Sequence, residues 1–247
     1  MTEAEKIYTS GEYAERHQEW HLEDAPAKAQ DILPYVKEVI GLQNSQNKGR
    51  ECRIADIGAG VGGVIVELQK FLASDNTQEL SCKFSGYEIS EHAVKQGKQM
   101  FPQLDLVNKA LQENDGPFDA TMFIDVLEHL ENPHEMVRLA RKVSDFMIVR
   151  QPLLESFATF RHANYQNQRM QWGHIAFFNS ESFIDLAASQ GWNVFAGRLL
   201  APWELATGNN SRPNLAQNLF TSLNRRIASQ FISGFYWVGA FQRDDTT

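Results

Sequence analysis

The sequence predicts an α/β fold in which helices cover both faces of a doubly wound, mostly parallel sheet. Strand-like and helix-like stretches alternate through residues 50–195, as they do in sheets built from strand–helix–strand units. A glycine-rich turn, IADIGAGVGG, ends the first predicted strand, where folds of this kind bind cofactors. Late in the chain, GFYWVGAFQ predicts a final strand that closes the sheet after a long connection.

The other predicted strands are short, β-rich and apolar. FDATMFIDVL is apolar enough that both of its faces are expected to be buried. The five strands predicted ahead of the closing strand are CRIADIG, CKFSGYEIS, LDLVNKAL, FDATMFIDVL and DFMIVRQPL.

Four helices are predicted between or after these strands, each with a recognisable start or spacing. VIVELQKFLA carries apolar residues at helical spacing, and Ser90 is a candidate N-cap for SEHAVKQGKQMF. Pro133 lies just inside the start of NPHEMVRLARKVS. NSESFIDLAASQGW opens with a capping Asn or Ser and closes at Gly191.

Parts of the chain fall outside this alternation. Residues 1–45 are expected to form an amphipathic N-terminal helical cap, and 43–51 a polar linker. The main domain then spans 50–247, with an insertion near 153–178 and an irregular segment near 203–230, both rich in Asn, Gln, Arg and aromatic residues. Such insertions usually lie over the carboxyl ends of the strands, so they are expected on the substrate side.

Composition narrows the possible function. A net charge of -8 argues against a nucleic-acid partner, since the surfaces that bind polyanions are usually basic. We expect a cytoplasmic protein, because the sequence shows neither a signal peptide nor an apolar stretch long enough for a membrane span. Cys52 and Cys82 each precede an apolar run and are expected to be reduced core thiols.

The glycine-rich turn is compatible with two cofactors. Gly58, Gly60 and Gly63 form the G-x-G-x-x-G fingerprint of dinucleotide-binding folds. Asp56, Gly58, Gly60 and Gly62 equally form the spacing that holds S-adenosylmethionine. Both interpretations need a tight turn in which the backbone approaches the ligand closely.

Two acidic residues favour S-adenosylmethionine. Asp56 would repel a pyrophosphate but would attract the sulfonium and ammonium groups of S-adenosylmethionine. Glu88 lies 28 residues after Gly60, later than the roughly 20-residue interval typical of the ribose-binding acid in dinucleotide folds. A nicotinamide-dependent oxidoreductase stays the alternative from another enzyme class.

Four motifs in order, IADIGAGVGG, GYEIS, FDATMFIDVLEHLENP and GHIAFFNSESFIDLAASQGW, resemble those of class I S-adenosylmethionine-dependent methyltransferases. VLEHL after strand four and the lead-in EWHLEDAPAKAQDIL are similar to a bacterial branch that acts on small molecules and glycans. The resemblance covers about residues 15–200 and implies a seven-stranded sheet. RKVSDF replaces the usual KPGG before strand five, which puts that local turn in doubt.

The resemblance also implies contacts with the cofactor. Glu88 would bind both ribose hydroxyls, and Ile89 would pack on the adenine; Asp125 would lie at the methionine end or, alternatively, cap the following turn. The full implied set is Asp56, Gly58, Ala59, Gly60, Glu88, Ile89, Ala110, Leu111 and Asp125.

His129 and His174 are the candidate catalytic residues, since an imidazole can act as a base toward a hydroxyl acceptor near neutral pH. Each could instead shape the wall of the pocket. The main hypothesis uses no metal. In an alternative, Asp125, Glu128, His129 and His174 resemble the E-x-x-E-H cluster of ubiquinone-biosynthesis and small-RNA O-methyltransferases and would bind Mg²⁺.

The expected reaction is methyl transfer to a small-molecule acceptor, an oxygen of a sugar, a glycolipid precursor or a secondary metabolite. A catalytically silent cofactor-binding scaffold is a further alternative. Arg161, Tyr165 and Arg169 are candidates for the acceptor wall, or for a solvated loop. Trp20 and His21 are candidates for a lid, although core packing is the simpler role for Trp20.

Overall fold

The computed structural model describes residues 20, 22–46, 50–74, 82–162, 164–206 and 212–244. In these residues the strands are β1 (Cys52–Ile57), β2 (Cys82–Glu88), β3 (Asp105–Asn108), β4 (Phe118–Ile124), β5 (Ser144–Leu153), β6 (Trp192–Leu200) and β7 (Phe235–Arg243). The helices are α1 (Ala25–Gln46), α2 (Gly63–Ser74), α3 (Glu91–Met100), α4 (Pro133–Val143), α5 (Phe157–Arg161), α6 (Tyr165–Trp172), α7 (Ser180–Ser189), α8 (Leu215–Leu223) and α9 (Arg225–Phe231).

The strands form one seven-stranded sheet in the order β3-β2-β1-β4-β5-β7-β6. All neighbouring pairs are parallel except those of β7, which runs antiparallel to both β5 and β6. The doubly wound, mostly parallel sheet predicted from the sequence is therefore confirmed. The strand order reverses between β1 and β4, and such a switch point opens a crevice at the carboxyl ends of the strands.

The edge strand β6 has no counterpart among the predicted strands. Most of its residues are exposed or half-buried, and a bulge interrupts its pairing with β7 between Val194 and Ala196. An edge strand of this kind shows neither a continuous apolar run nor a regular alternation, so its sequence carries little strand signal.

Helix α1 packs against α2 and lies over β5 and β7. Its buried side chains include Ile32, Val36, Val39 and Ile40, which recur at helical spacing. The helix extends to Gln46, into the segment expected to be a polar linker. The reason is that Gln43 faces the protein and is buried, so the polar composition of this stretch does not end the helix.

Side-chain caps set several helix starts as predicted. The Ser90 hydroxyl accepts a hydrogen bond from the Ala93 amide at 3.4 Å, and Pro133 is the first residue of α4. Helix α4 ends at Val143 and β5 begins at Ser144. Ser144 Oγ donates to the Ala140 carbonyl at 2.9 Å, so this serine closes the turn between α4 and β5.

The two segments outside the strand–helix alternation are less irregular than expected. The first contains α5 and α6, and the second contains α8 and α9. Asn214 and Asn224 cap α8 and α9 through their side chains. These helices are short and keep apolar residues exposed, so the usual signal of a buried apolar face is absent from their sequences.

The two cysteines lie opposite each other on β1 and β2, and both are free thiols. Cys52 is buried and Cys82 is half-buried, as expected for packing residues. Within the described ranges, no helix combines the length and the hydrophobicity needed to cross a membrane.

Candidate cofactor and acceptor site

A cavity of about 580 Å³ opens at the carboxyl ends of β1, β2 and β4, beside the switch point of the sheet. His129 lines it, and so do Trp20 and Lys28 from the N-terminal part; His21 is outside the described residues. All nine residues that sequence similarity pointed to as cofactor contacts line this one cavity: Asp56, Gly58, Ala59, Gly60, Glu88, Ile89, Ala110, Leu111 and Asp125.

The glycine loop requires glycine for two different reasons. Gly58 has φ +74°, and a Cβ atom there would lie 2.8 Å from Val126 Cγ2. Gly60 has φ +57°, but a Cβ atom there would meet no protein atom within 4 Å. Because Gly60 lines the cavity, a side chain there would project into the open space of the cavity. The Gly58 amide donates to the Tyr87 carbonyl at 2.8 Å, which ties the loop to β2.

Glu88 is held rigidly at the end of β2. Its side chain is only 7% exposed. Oε2 accepts a hydrogen bond from the Gly60 amide at 2.9 Å, and Oε1 accepts one from the Ser90 amide at 2.7 Å. Burial raises the pKa of Glu88 despite these bonds. Each oxygen keeps a further lone pair, so the carboxylate can accept two more hydrogen bonds from a ligand in the cavity.

Asp56 is a buried carboxylate beneath the same cavity. Burial, followed by the nearby charge of Glu88, raises its pKa to about 7. Its ionised form is therefore poorly stabilised by the protein itself, and a cationic ligand group in the cavity would favour ionisation.

Asp125 lies at φ +57° immediately after β4, and its carboxylate is held by buried Arg150 and half-buried Lys28. Arg150 Nη1 donates to both Asp125 oxygens at 2.6 Å, and Lys28 Nζ lies 3.1 Å from Oδ2. Asp31 binds the other side of Arg150, at 3.0 Å from Nε, and the guanidinium stacks 4.1 Å from the ring centroid of Tyr236. Burial opposes ionisation, but Arg150 and Lys28 hold the pKa of Asp125 below its usual value.

The capping role considered for Asp125 is wrong. Val126 occupies the N-cap position of the 3-10 turn Leu127–His129, without a side-chain cap, while the Asp125 carboxylate binds the two cations. Lys28, Asp31 and Arg150 were not predicted from the sequence, in which the one available signal was a charged residue inside the apolar strand DFMIVRQPL.

Glu128, His129 and His174 form a compact cluster, with one potential ligand atom from each within 4.8 Å of the others. The imidazole rings of His129 and His174 pack edge to face, with their centroids 4.8 Å apart. Burial, and then the Asp125 charge, raises the pKa of Glu128 to about 8. Burial lowers the pKa of both histidines to about 4, so their imidazoles are neutral near pH 7. Asp125 does not belong to this cluster.

The segment after α6 is fastened directly to this cluster. The amides of Ile175 and Ala176 donate to the Glu128 carbonyl at 2.8 and 3.0 Å, and His129 Nδ1 lies 3.3 Å from the Gly173 carbonyl oxygen. His174 thus sits behind His129 and outside the cavity lining.

The three candidates for the acceptor wall, Arg161, Tyr165 and Arg169, also lie outside the cavity lining. Tyr165 packs edge to face on Phe177, with ring centroids 4.8 Å apart. This contact anchors the start of α6.

Comparison with known families identifies the class of enzyme. Residues 19–196 match the model of a family described as a methyltransferase domain. The chain belongs to this family. It is an S-adenosylmethionine-dependent class I methyltransferase, which decides the glycine-loop question in favour of S-adenosylmethionine over a nicotinamide dinucleotide.

Individual relatives of this methyltransferase are distant. The ubiquinone biosynthesis O-methyltransferase of Maricaulis maris (strain MCS10) is 32% identical over 92 residues, which is 37% of this chain and 36% of that protein. The match therefore spans about a third of the length of this curated relative.

Solved structures share the fold at low identity. The plantazolicin methyltransferase, solved with a substrate analogue and S-adenosylhomocysteine, aligns with a TM-score of 0.59 and 10% identity, over 98% of this chain and 93% of that one. The magnesium protoporphyrin IX methyltransferase of Synechocystis PCC 6803, solved with bound S-adenosylmethionine, aligns with a TM-score of 0.53 and 12% identity, over 98% and 95%.

Proposed function

We propose that this methyltransferase transfers the methyl group of S-adenosylmethionine to an oxygen of a small-molecule acceptor, such as a sugar, a glycolipid precursor or a secondary metabolite. The observation that carries the proposal is the placement of a neutral imidazole, His129, in the wall of the cavity that contains the glycine loop and Glu88. Bound S-adenosylmethionine supplies an electrophilic methyl group on a sulfonium.

The residues around the cavity fit this cofactor. Glu88, with two oxygens pinned by backbone amides, would accept hydrogen bonds from both ribose hydroxyls. Ile89, Ala110 and Leu111 provide an apolar surface for the adenine. Asp56 would face the cationic methionine part, and Lys28 lies on the same wall, where it could bind a ligand carboxylate.

His129 would act as the base. When Nδ1 carries the hydrogen and donates it to the Gly173 carbonyl, Nε2 holds the free lone pair. His129 then receives the hydroxyl proton at Nε2 as the acceptor oxygen is methylated. Nε2 lies 3.9 Å from Glu128 Oε1. The pKa of Glu128 is about 8, so its carboxylate would stabilise the imidazolium that forms mainly at or above that pH.

The curated relative supports an oxygen acceptor, because its printed name is that of an O-methyltransferase. The match covers too little of that protein to transfer its acceptor to this chain. The proposal therefore stops at the chemical class of the acceptor.

The test is methyl transfer from S-adenosylmethionine labelled in its methyl group to matched acceptors that differ only in a hydroxyl, amine or thiol. We expect labelled ether products from the hydroxyl series. His129→Gln should lower kcat by about 100-fold or more, within the range of general base catalysis. His134→Gln changes an exposed histidine and should have no effect. Exclusive methylation of amines, with His129→Gln unimpaired, would refute the proposal.

A second candidate is a metal-assisted version of the same reaction. Glu128 Oε1 and His174 Nδ1 are buried without a hydrogen-bond partner in the described part of the chain, and His129 lies between them in the cluster. Two imidazoles and one carboxylate suit a transition metal better than Mg²⁺, which prefers oxygen ligands. Metal analysis of the protein incubated with Mn²⁺ or Zn²⁺ tests it: one ion per chain, lost in Glu128→Gln, supports this candidate, and no bound ion refutes it.

A further inference from the structure

Large apolar side chains are exposed mainly in one part of the molecule. Of the twelve that are exposed among the described residues, nine lie between residues 157 and 172 or between 215 and 231. The nine are Phe157, Phe160, Met170, Trp172, Leu215, Leu219, Leu223, Ile227 and Phe231. An exposed apolar patch of this kind usually marks a surface that binds a partner or a membrane.

Helices α5, α8 and α9 bring most of these side chains together, and we call their exposed side the apolar face. Phe231 of α9 connects the three helices, because its ring centroid lies 6.1 Å from that of Phe157 and 5.9 Å from that of Phe220. Thr159 Oγ1 and Ser233 Oγ, 3.0 Å apart, fasten α5 to the end of α9.

The outer side of α8 is apolar along its whole length. Leu215, Leu219 and Leu223 recur every four residues and are 87%, 59% and 74% exposed. Thr221, on the opposite side of the helix, is buried. Helix α8 is thus amphipathic, but its apolar stripe faces solvent and not the protein core.

Charge distinguishes this face from the rest of the protein. Residues 156–180 and 205–233 contain five arginines and not one of the 31 acidic residues of the chain. Arg225 and Arg226 are paired with Glu204 and Glu181. Exposed Arg161, Arg169 and Arg212 make no ion pair with any residue that the structure describes.

We infer that the apolar face docks on the surface of an anionic phospholipid bilayer. Leucine and phenylalanine side chains would enter the interface between headgroups and acyl chains, and the arginines beside them would bind lipid phosphates. A protein with a net charge of -8 is repelled by such a surface in most orientations. Both segments lack acidic residues, as docking on an anionic surface requires. An apolar protein partner would not require this absence.

The apolar face lies near the cofactor cavity, so docking would also orient the cavity relative to the membrane. Helix α5 follows the carboxyl end of β5, and α8 and α9 connect the carboxyl end of β6 to β7. The apolar face and the cofactor cavity therefore lie at the same edge of the sheet. Docking places the acceptor end of the enzyme at the membrane surface.

The test is cosedimentation of the full chain with vesicles of phosphatidylcholine alone or of phosphatidylcholine with 30 mol% phosphatidylglycerol, about the anionic content at which such electrostatic binding is strong. We expect binding to the anionic vesicles that weakens at high salt. No donor or acceptor is needed, so failure here is distinguishable from failure of the proposed reaction.

Two matched variants decide whether the apolar face is responsible. Leu215→Gln/Leu219→Gln/Leu223→Gln alters only exposed side chains and should lower the vesicle partition coefficient by about 100-fold, since three leucines lose bilayer contact. Met100→Gln/Val194→Gln removes exposed apolar side chains elsewhere and should bind as the parent does.

Two results would overturn the inference. One is no binding to anionic vesicles, or equal binding by the triple-leucine variant. The other is a dimer in sedimentation equilibrium that this variant dissociates, without vesicle binding, because the face would then contact a second copy of the chain.

Discussion

Arg150 Nη1 lies 2.6 Å from both carboxylate oxygens of Asp125. The guanidinium is 2% exposed and also binds Asp31 of α1, so one buried cation links the N-terminal helix, β5 and the residue that follows β4. Asp125 adopts a left-handed backbone conformation that is costly for a residue with a side chain. The two short hydrogen bonds from Arg150 stabilise that conformation and fix the carboxylate in the cavity wall.

Arg150→Met should therefore destabilise the protein by about 3–5 kcal/mol, since it removes the cation bound to buried Asp31 and leaves Asp125 with Lys28 alone. Urea unfolding measures the loss, with exposed Arg138→Gln as a control expected within about 0.5 kcal/mol of the parent. Adding Asp125→Asn to Arg150→Met should recover part of the stability. Strict additivity of the two changes would show that the pair is not coupled.

Asp56→Asn should stabilise the free protein while it weakens cofactor binding. The folded protein raises the pKa of Asp56 from 3.8 to about 7, so it binds a proton that the unfolded chain releases. Stability contributed by this group therefore falls as the pH rises from about 4 to 7. At pH 8 the variant should melt several degrees above the parent, at roughly 2–4 °C for each kcal/mol recovered. Near pH 4 the difference should disappear; an unchanged difference at both pH values would contradict the assignment.

Cofactor affinity should show the opposite pH dependence. Calorimetric titration with S-adenosylmethionine should give tighter binding as Asp56 ionises between about pH 6 and 8, because the bound cationic groups favour its carboxylate. Asp56→Asn should flatten this profile and weaken binding by about tenfold or more. Binding of the parent that does not change with pH would place the cationic groups elsewhere.

Glu88→Gln should lower the affinity for S-adenosylhomocysteine by about 10–100-fold, which corresponds to one charge-assisted hydrogen bond. The amide also presents N–H donors where Glu88 accepts from Gly60 and Ser90, so the loop should loosen. Glu91→Gln alters an exposed acid three residues later and is the matched control. Equal titrations for the two variants would remove Glu88 from the site.

Two alanine substitutions in the glycine loop should separate packing from binding. Gly58→Ala pushes a methyl group against Val126 at positive φ and should cost about 1–3 kcal/mol of stability. In Gly60→Ala the new methyl group meets no protein atom, so the loss of stability should be smaller than in Gly58→Ala. The loss of cofactor affinity should be larger, because the methyl group projects into the cavity. Unfolding curves and calorimetry on both variants check the contrast. A reversed order would mean that the space beside Gly60 is not used by the cofactor.

The sequence was most informative where local demands are strong. Positive φ at Gly58 and Gly60 is a consequence of a short stretch of backbone, so spacing predicted the glycine loop, while the resemblance to class I methyltransferases supplied the other candidate cofactor contacts that line the cavity. Apolar runs likewise predicted β1, β4 and β5, because a strand buried on both faces leaves little choice of side chain.

The missed features depend on distant pairing. Asp31 and Arg150 are 119 positions apart, and no local pattern shows that one neutralises the other. Helices α8 and α9 escaped prediction because large apolar residues of both, such as Leu215 of α8 and Ile227 of α9, face solvent, which reverses the rule that apolar side chains mark the core.

The antiparallel insertion of β7 between β5 and β6 also sets an order of assembly during synthesis. Strands β1 to β5 can pair as soon as β5 leaves the ribosome, since each already has its neighbour. β6 has no partner until residues 235–243 have been made, because only β7 contacts it in the sheet. For that interval the nascent chain carries an unpaired strand edge followed by the exposed leucines of α8, which is the stage at which we expect chaperones to bind it.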